Sequence, residues 1–423
     1  MCDAKERTAL MPFALIVLLA LLLLSLPCRA SAEAVRPLQI AVMADPHYIS
    51  PALTDRGDAF MRVISRADGK VMRYSEELLS AFIDNLLQNP PDVLVIPGDL
   101  TFNGALQSHE DLARRLEPLQ DAGIRVFVIP GNHDLRYSQA ARFEGTAITR
   151  VQSPDAVAFE EIWHGFGLDT ALSRDSHSLS YMAELSPGLR LLMLDVNTTA
   201  APVGLLKETL SWAKQALLQA RRDGARVISC SHQTLLQHNS LFEKGFRMEN
   251  AEPLLALLES SSVLLHLSGH MHIQHIAASG KGLQEIVTSS LAVSPCQYGW
   301  LEVSGEKLHY VTRKTPVSQW ARKKGISNPD LLDFNRYALS FFASSMIRQA
   351  SPLLGSDSAS REALLWLTNI NIGYFSGRLA AAQPSPAAMR ILHEKAPFWA
   401  VYAKSFESDL GRDYNELEFS FGR

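Results

Sequence analysis

The stretch RVFVIPGNHD, residues 125–134, passes from apolar residues directly into Gly131, Asn132, His133 and Asp134. Its first half has the Val- and Ile-rich character of a strand buried on both faces. Its second half, taken alone, reads as a turn, because Pro, Gly, Asn and Asp each have a conformational reason to occupy one. A turn gives no reason for an imidazole beside a carboxylate. The reading therefore depends on whether other strands of the chain end in the same way.

They do. LQIAVMADPH (38–47), DVLVIPGD (92–99), LRLLMLDVN (189–197), RVISCSHQ (226–233) and VLLHLSGHMH (263–272) are short apolar runs that stop in polar clusters. Segments with helical spacing lie between them, at 75–88, 106–122 and 205–222, so the expected fold class is α/β with helices packed over sheet. Ligand sites in such folds gather at the carboxyl ends of the strands. That rim would collect Asp45 and His47, Asp99, Asn132 and His133, His232, and His270 and His272. Each has an ordinary structural explanation alone: an aspartate can cap a helix, and a histidine can be a satisfied core residue. Jointly, those explanations require five unrelated coincidences.

In order, the motifs are D-x-H, G-D, G-N-H-D, a lone H and G-H-x-H, standing here as DPH, GD, GNHD, SH and GHMH between residues 45 and 272. With this ordered set the chain resembles the calcineurin-like binuclear metallophosphoesterases, from its first strand to near Arg313. The resemblance implies layered β-sheets flanked by helices and two metal ions. It assigns Asp45, His47 and His272 to one ion and Asn132, His232 and His270 to the other, with Asp99 bridging. Carboxylate, imidazole and amide oxygen suit Mn, Fe or Zn, and no cysteine is among the donors. The implied reaction is in-line attack of a metal-bridging hydroxide on a phosphate ester. His133, left without a metal, is implied as the proton donor, with Asp134 or a neighbouring carboxylate as its orienting partner. Gly131 and Gly269 are expected to permit close backbone approach where a Cβ would crowd.

The rest of the chain bounds the setting. Lys5 and Arg7 precede an apolar run, ALMPFALIVLLALLLLSLP (9–27), and Ala30-Ser31-Ala32 forms a cleavage signal, so residues 1–32 read as an export leader. The competing expectation is an uncleaved membrane anchor, since the run approaches the roughly 20 residues that span a bilayer. Either places the globular part outside the cytoplasm, secreted or periplasmic. Without the leader, 37 basic residues remain of 40 and 42 acidic of 44, with no basic run suited to a nucleic-acid duplex. Only Cys230 and Cys296 remain outside the leader, too few for a disulfide scaffold.

GDLTFNGALQSHEDL, after the expected bridging aspartate, and the insertion ADGKVMRYSEELLSAF at 67–82 are similar to the cyclic-nucleotide phosphodiesterase subgroup, which carries a C-terminal helical extension. The expected substrate is a small phosphodiester, with a cyclic nucleotide favoured. Phosphomonoesters, lipid headgroup diesters and nucleic-acid ends remain as alternatives, and a non-catalytic binding protein as a further one. The metallophosphoesterase domain is expected at 37–315 and an all-α domain at 326–423, entered through a cap at Asn328 and Pro329. Helical stretches are expected at about 361–378 and 386–406. Trp366, Tyr374, Phe375, Phe398 and Trp399 read as packing residues of that tail. Of the remaining histidines, His238 and His275 are candidate substrate contacts.

Overall fold

Alternate residues of each apolar run face opposite ways, and both faces are buried, which is why the runs lack polar interruption. In β1 (Leu38–Val42), Ile40 and Val42 enter one apolar cluster while Ala41 enters another. The same split divides Val93 and Val95 from Leu94 and Ile96 in β2 (Val93–Ile96). In β3 (Arg125–Val128) it divides Phe127 from Val126 and Val128. The computed structural model describes residues 36–197 and 203–421; the expected leader lies outside them.

β4 (Ala141–Glu144) and β5 (Ala147–Arg150) form a separate hairpin. β6 (Ser173–Arg174), β7 (Tyr181–Ser186), β8 (Leu189–Leu194) and β9 (Arg226–Ser231) belong to the second large sheet. So do β10 (Leu265–Ser268), β11 (His275–Ala278) and β12 (Gln284–Val287). Its strand order is β11-β12-β10-β9-β8-β7-β6, with β12, β10, β9 and β8 mutually parallel. β13 (Gln297–Ser304), β14 (Lys307–Lys314) and β15 (Glu416–Ser420) complete the first sheet, ordered β15-β14-β13-β1-β2-β3. Inner faces of both sheets share one core, including Val42, Phe127, Leu191, Cys230, Leu267 and Tyr310. Helices Ser75–Gln88 and Leu106–Asp121 cover the first sheet, and Lys207–Arg222 and Ala251–Ser260 the second. The layered α/β architecture is therefore as expected. Cys230 and Cys296 are both buried and unpaired.

The tail is helical from Val317, with Asn328 accepting hydrogen bonds from the backbone N–H groups of Asp330 and Leu331 as the expected cap. Two details differ from the sequence reading. The stretch 386–406 is two helices, Pro386–Lys395 and Pro397–Ser405, because Pro397 drives the preceding Ala396 out of helical geometry, to φ −144° and ψ 65°. The tail also ends in a strand: β15 pairs antiparallel with β14 from Val311↔Glu416 to Lys307↔Ser420. Leu331, Phe334 and Ala338 enter the core that contains Phe82 and Tyr298. A second tail cluster joins Phe406 and Tyr374 to Met271 and Ile273, which flank His272. Among the described residues no helix is long and apolar enough to cross a membrane.

Phe406 is fully buried and stacks on Tyr374, with ring centroids 4.4 Å apart and 11° between the planes. Phe406→Ala should lower stability by about 3–5 kcal/mol, the usual loss for a buried aromatic. Chemical denaturation monitored by fluorescence measures it. A loss below about 1 kcal/mol would mean that this cluster does not bear on the fold's stability.

Candidate metal centre

The carboxyl ends of β1, β2, β3, β9 and β10 converge, and with them all the residues read from the motifs. Ligand atoms of Asp45, His47, Asp99 and His272 lie within 4.8 Å of one another, as do those of Asp99, His232 and His270. Asp99 belongs to both groups. His47 Nε2 and His272 Nε2 stand 3.0 Å apart, and His272 Nε2 lies 3.6 Å from Asp45 Oδ1. In the other group His232 Nε2 lies 3.3 Å from Asp99 Oδ1, 3.2 Å from His270 Nδ1 and 3.0 Å from Asn132 Oδ1. Donors bound at about 2.1 Å around one cation stand roughly 3 Å apart, so these spacings fit coordination. Spacing and donor types together suit a divalent cation in each group.

The histidines are oriented from behind. His232 Nδ1 donates to the Pro97 carbonyl at 2.8 Å, and His270 Nε2 to the Gly245 carbonyl at 2.9 Å. His272 Nδ1 donates to Asp68 Oδ2 at 2.8 Å, and His133 Nδ1 to the Phe102 carbonyl at 3.1 Å. Because an oxygen acceptor demands the proton, each ring in its neutral form presents its other nitrogen, with its lone pair, to the site. Glycines permit the close approach, as expected: a Cβ on Gly131 would lie 2.3 Å from Asp99 Oδ1, and one on Gly269 2.5 Å from Asp45 Oδ2. Burial pushes the Asp45 carboxyl up to about 6, against the imidazoles of His272 and His232. Burial also acts to raise Asp99, but His232 and His133 outweigh it and hold it well below the carboxylate range. For His232 burial is overcome by Asp99, which lifts the imidazole to about 9, while burial and the neighbouring His232 bring His270 down to about 3. A cation bound here would favour the ionised form of the Asp45 carboxyl, which burial disfavours.

His133 sits at the edge of this cluster, with 24% of its side chain exposed, its Nε2 3.9 Å from Asp99 Oδ2 and its ring stacked on Tyr137 at 4.8 Å. Its backbone N–H donates to Asp99 Oδ1 at 2.9 Å. Burial lowers the His133 imidazole, and Asp99 opposes that. Asp134 does not orient it. That carboxylate accepts from the backbone N–H groups of Leu100, Thr101 and Gly131 instead, tying the loops after β2 and β3 together. Burial and then Asp99 push it up to about 7.

A cavity of about 340 Å³ opens over the cluster, with Asp99, His133, His270, His272, Asp68 and Lys70 among its walls. Lys70 Nζ donates to Asp68 Oδ1 at 2.8 Å and brings a cation to the site from the 67–82 insertion. The sequence reading noticed that insertion but singled out neither residue. Tyr374 and Phe375, read as packing only, also line this cavity.

His238 and His275 are not substrate contacts. They are buried behind the site, Nδ1 to Nδ1 at 2.9 Å, with His238 Nε2 3.2 Å from Glu285 Oε2. Glu285 also accepts from the backbone N–H groups of Leu235 and Leu236 and from the Ser268 hydroxyl, and so anchors the loop that follows His232. Burial acts to raise its carboxyl, but His238 first, then His266 and the Ser268 hydroxyl, bring it down to about 2. A depressed carboxylate stabilises the fold fully above the unfolded value of 4.5, and that contribution fades as pH falls toward about 2. Glu285→Gln should therefore melt below wild type at neutral pH, and the gap should shrink through that acid window. Paired thermal scans test this, and a gap that stays constant would contradict it.

Comparison with known proteins bears on the same residues. A family model described as calcineurin-like phosphoesterase matches residues 38–274, and one described as the C-terminal domain of cyclic nucleotide phosphodiesterase matches 316–413. A probable cyclic nucleotide phosphodiesterase of Vesicomyosocius okutanii is 44% identical over 52 residues, 12% of this chain and 21% of that protein. A protein of the same description from Ruthia magnifica is 40% identical over 57 residues, 14% of this chain and 23% of its own length. The matched segments thus span less than a quarter of either relative. A dimetal phosphatase from Danio rerio superposes with a TM-score of 0.47 at 16% identity, covering 66% of this chain and 97% of that one. With the first family model spanning more than half of its 423 residues and all of the motif residues, the chain belongs to the calcineurin-like phosphoesterase family.

Proposed function

We propose that the chain is an exported, metal-dependent phosphodiesterase that hydrolyses small phosphodiesters, cyclic nucleotides foremost. The observation that carries the reading is Asp99 shared between two donor groups, beneath a cavity whose rim holds His133 and Lys70. Asp45, His47 and His272 would hold one cation and Asn132, His232 and His270 the other, with Asp99 common to both; Mn, Fe or Zn suits these donors. Bound there, the pair supplies neutralisation of phosphoryl charge and acidification of a water.

The remaining work belongs to the chain. Lys70, braced by Asp68, offers an ammonium to a phosphoryl oxygen. His133 presents Nε2 toward the cavity and, once protonated, gives that proton to the departing ester oxygen. An incoming phosphate anion favours this protonated form. The diester preference is supported by the tail's family match and by the description of the two relatives. The size of the cavity and the acidic net charge favour a small ester over a nucleic-acid duplex. Export rests on the leader-like residues 1–32. A panel of 3′,5′- and 2′,3′-cyclic nucleotides, bis-(p-nitrophenyl) phosphate and an aryl monophosphate, run on protein reconstituted with each metal, tests the substrate class. Preference for the monophosphate would overturn it.

Two substitutions probe the assignment. Asp99→Asn should lose metal at both sites together and abolish turnover, since one carboxylate serves both; metal analysis that still finds both cations, with turnover intact, would refute the shared site. His133→Asn should retain both cations and slow cyclic-nucleotide hydrolysis by about 10²–10⁴-fold, the usual worth of a general acid. The defect should be smaller on bis-(p-nitrophenyl) phosphate, because nitrophenolate leaves readily without a proton. Equal defects on both esters would assign His133 to charge stabilisation instead.

A further inference from the structure

Next to the cavity over the metal centre lies a second one, of about 200 Å³, among the tail helices. Asp68, Phe242, Phe375 and Tyr402 line both. Aromatic rings run without a break from the metal centre to the outer space. His270 to Phe246 is 5.3 Å between centroids, Phe246 to Phe242 5.1 Å, Phe242 to Tyr402 5.9 Å and Tyr402 to Trp399 5.5 Å. Phe375 and Phe342, 4.8 Å apart, belong to the lining as well. The outer cavity adds the side-chain amides of Asn371 and Gln349.

We infer that the outer cavity is a subsite for the planar, uncharged base of a nucleotide ester whose phosphate lies beside His133, an inference that rests on the phosphodiesterase reading above. Three features select this occupant. Aromatic walls stack on any heteroaromatic ring and are indifferent to its sequence of ring atoms. Among the described residues no lysine, arginine or histidine lines the outer cavity, and the Asp68 carboxylate belongs to the walls of both, so a second phosphate in the outer one would meet no lining cation. Asn371 Oδ1 already accepts from the Tyr402 hydroxyl and Gln349 Nε2 donates to the Ser345 hydroxyl, which leaves the Asn371 N–H groups as donors and Gln349 Oε1 as an acceptor for a base edge. An acyl chain in the same space would strip water from those amides and return no hydrogen bond.

The reacting atoms lie on residues from the sheet rim, whereas this subsite is built largely from Phe342, Gln349, Asn371, Phe375, Trp399 and Tyr402 of the tail. Specificity for the organic part of the substrate is thereby separated from the chemistry.

The test compares 3′,5′-cyclic AMP with the matching sugar 3′,5′-cyclic phosphate that lacks a base, on wild type, Phe375→Ala and Gln349→Leu with equal metal content and unfolding midpoints. Base stacking is worth about 1–3 kcal/mol, so the ratio of kcat/KM for cyclic AMP over the base-free ester should fall about 5- to 150-fold in Phe375→Ala, mainly through KM. Gln349, exposed at the cavity wall, should give a smaller fall with one base than with another. A direct reading uses 5′-AMP, the product of cyclic AMP hydrolysis on the reading above: it should quench tryptophan fluorescence in wild type and not in Trp399→Phe. Equal kcat/KM for the two cyclic esters in wild type, or an unchanged ratio in Phe375→Ala, would overturn the subsite. So would stronger inhibition by an acyl glycerophosphodiester than by 5′-AMP. Failure of wild type to cleave either cyclic ester while cleaving aryl esters would overturn the cyclic-nucleotide reading instead, and the Trp399 quench would still decide the subsite.

Discussion

Asp45, His47, Asp99, His270 and His272 all have positive φ, between 44° and 66°, although none is glycine. An L-residue held there costs about 1–2 kcal/mol, and five of them lie within one small volume. The gain is directional. After β1, β2 and β10 an abrupt reversal turns a carboxylate or imidazole back over the strand end, where an extended chain would carry it into solvent. The reversals sustain one another: the His47 N–H donates to the Asp99 carbonyl at 3.1 Å, Gly269 N–H to the His232 carbonyl at 3.0 Å, and His270 N–H to both Asp45 carboxylate oxygens at 3.0 Å. None of these loops can shift without breaking a hydrogen bond to another, so the donors are held by the fold itself.

Much of this was legible because motif residues and turn residues coincide. DPH, GD, GNHD, SH and GHMH each lie in the few positions after an apolar run, and in an α/β sheet those positions share one rim. What was not legible depends on partners distant in the chain. Asp134 stands beside His133 in sequence yet serves the backbone of Leu100 and Thr101, because backbone direction after Gly131 decides where its carboxylate points. His238 and His275 lie near motif residues along the chain and face away from them, toward Glu285 and Asp409. Tyr374 and Phe375 have the spacing of packing residues, and Tyr374 does pack on Phe406, but both also reach the cavity wall. β15 escaped notice because an edge strand is half exposed, so ELEFS, with its alternating burial, carries none of the apolar density that marked the central strands.

Behind the donors lies a second layer in which carbonyls and carboxylates fix ring orientation. The Pro97, Phe102 and Gly245 carbonyls and Asp68 each take one imidazole proton. Asp68 does this while also holding Lys70, so the insertion joins a candidate metal donor to a cation of the cavity wall. One carboxylate thus couples a motif residue to one that no motif contains.

The pairing of β14 with β15 has a topological consequence. Everything from 315 to 415 is an excursion that leaves the sheet at Lys314 and returns at Glu416, on adjacent strands. A segment whose ends are neighbours can be exchanged for another of different length with little added loop-closure entropy, since both junctions are already held by the sheet. The helical lobe can therefore evolve, or be engineered, as a cassette, provided the residues that meet Phe82 and Tyr298 and those that meet Met271 and Ile273 are kept. Transplanted between homologous scaffolds, such a cassette would bring its own cavity walls, Tyr374 and Phe375 among them, to a strand-end rim that the recipient supplies.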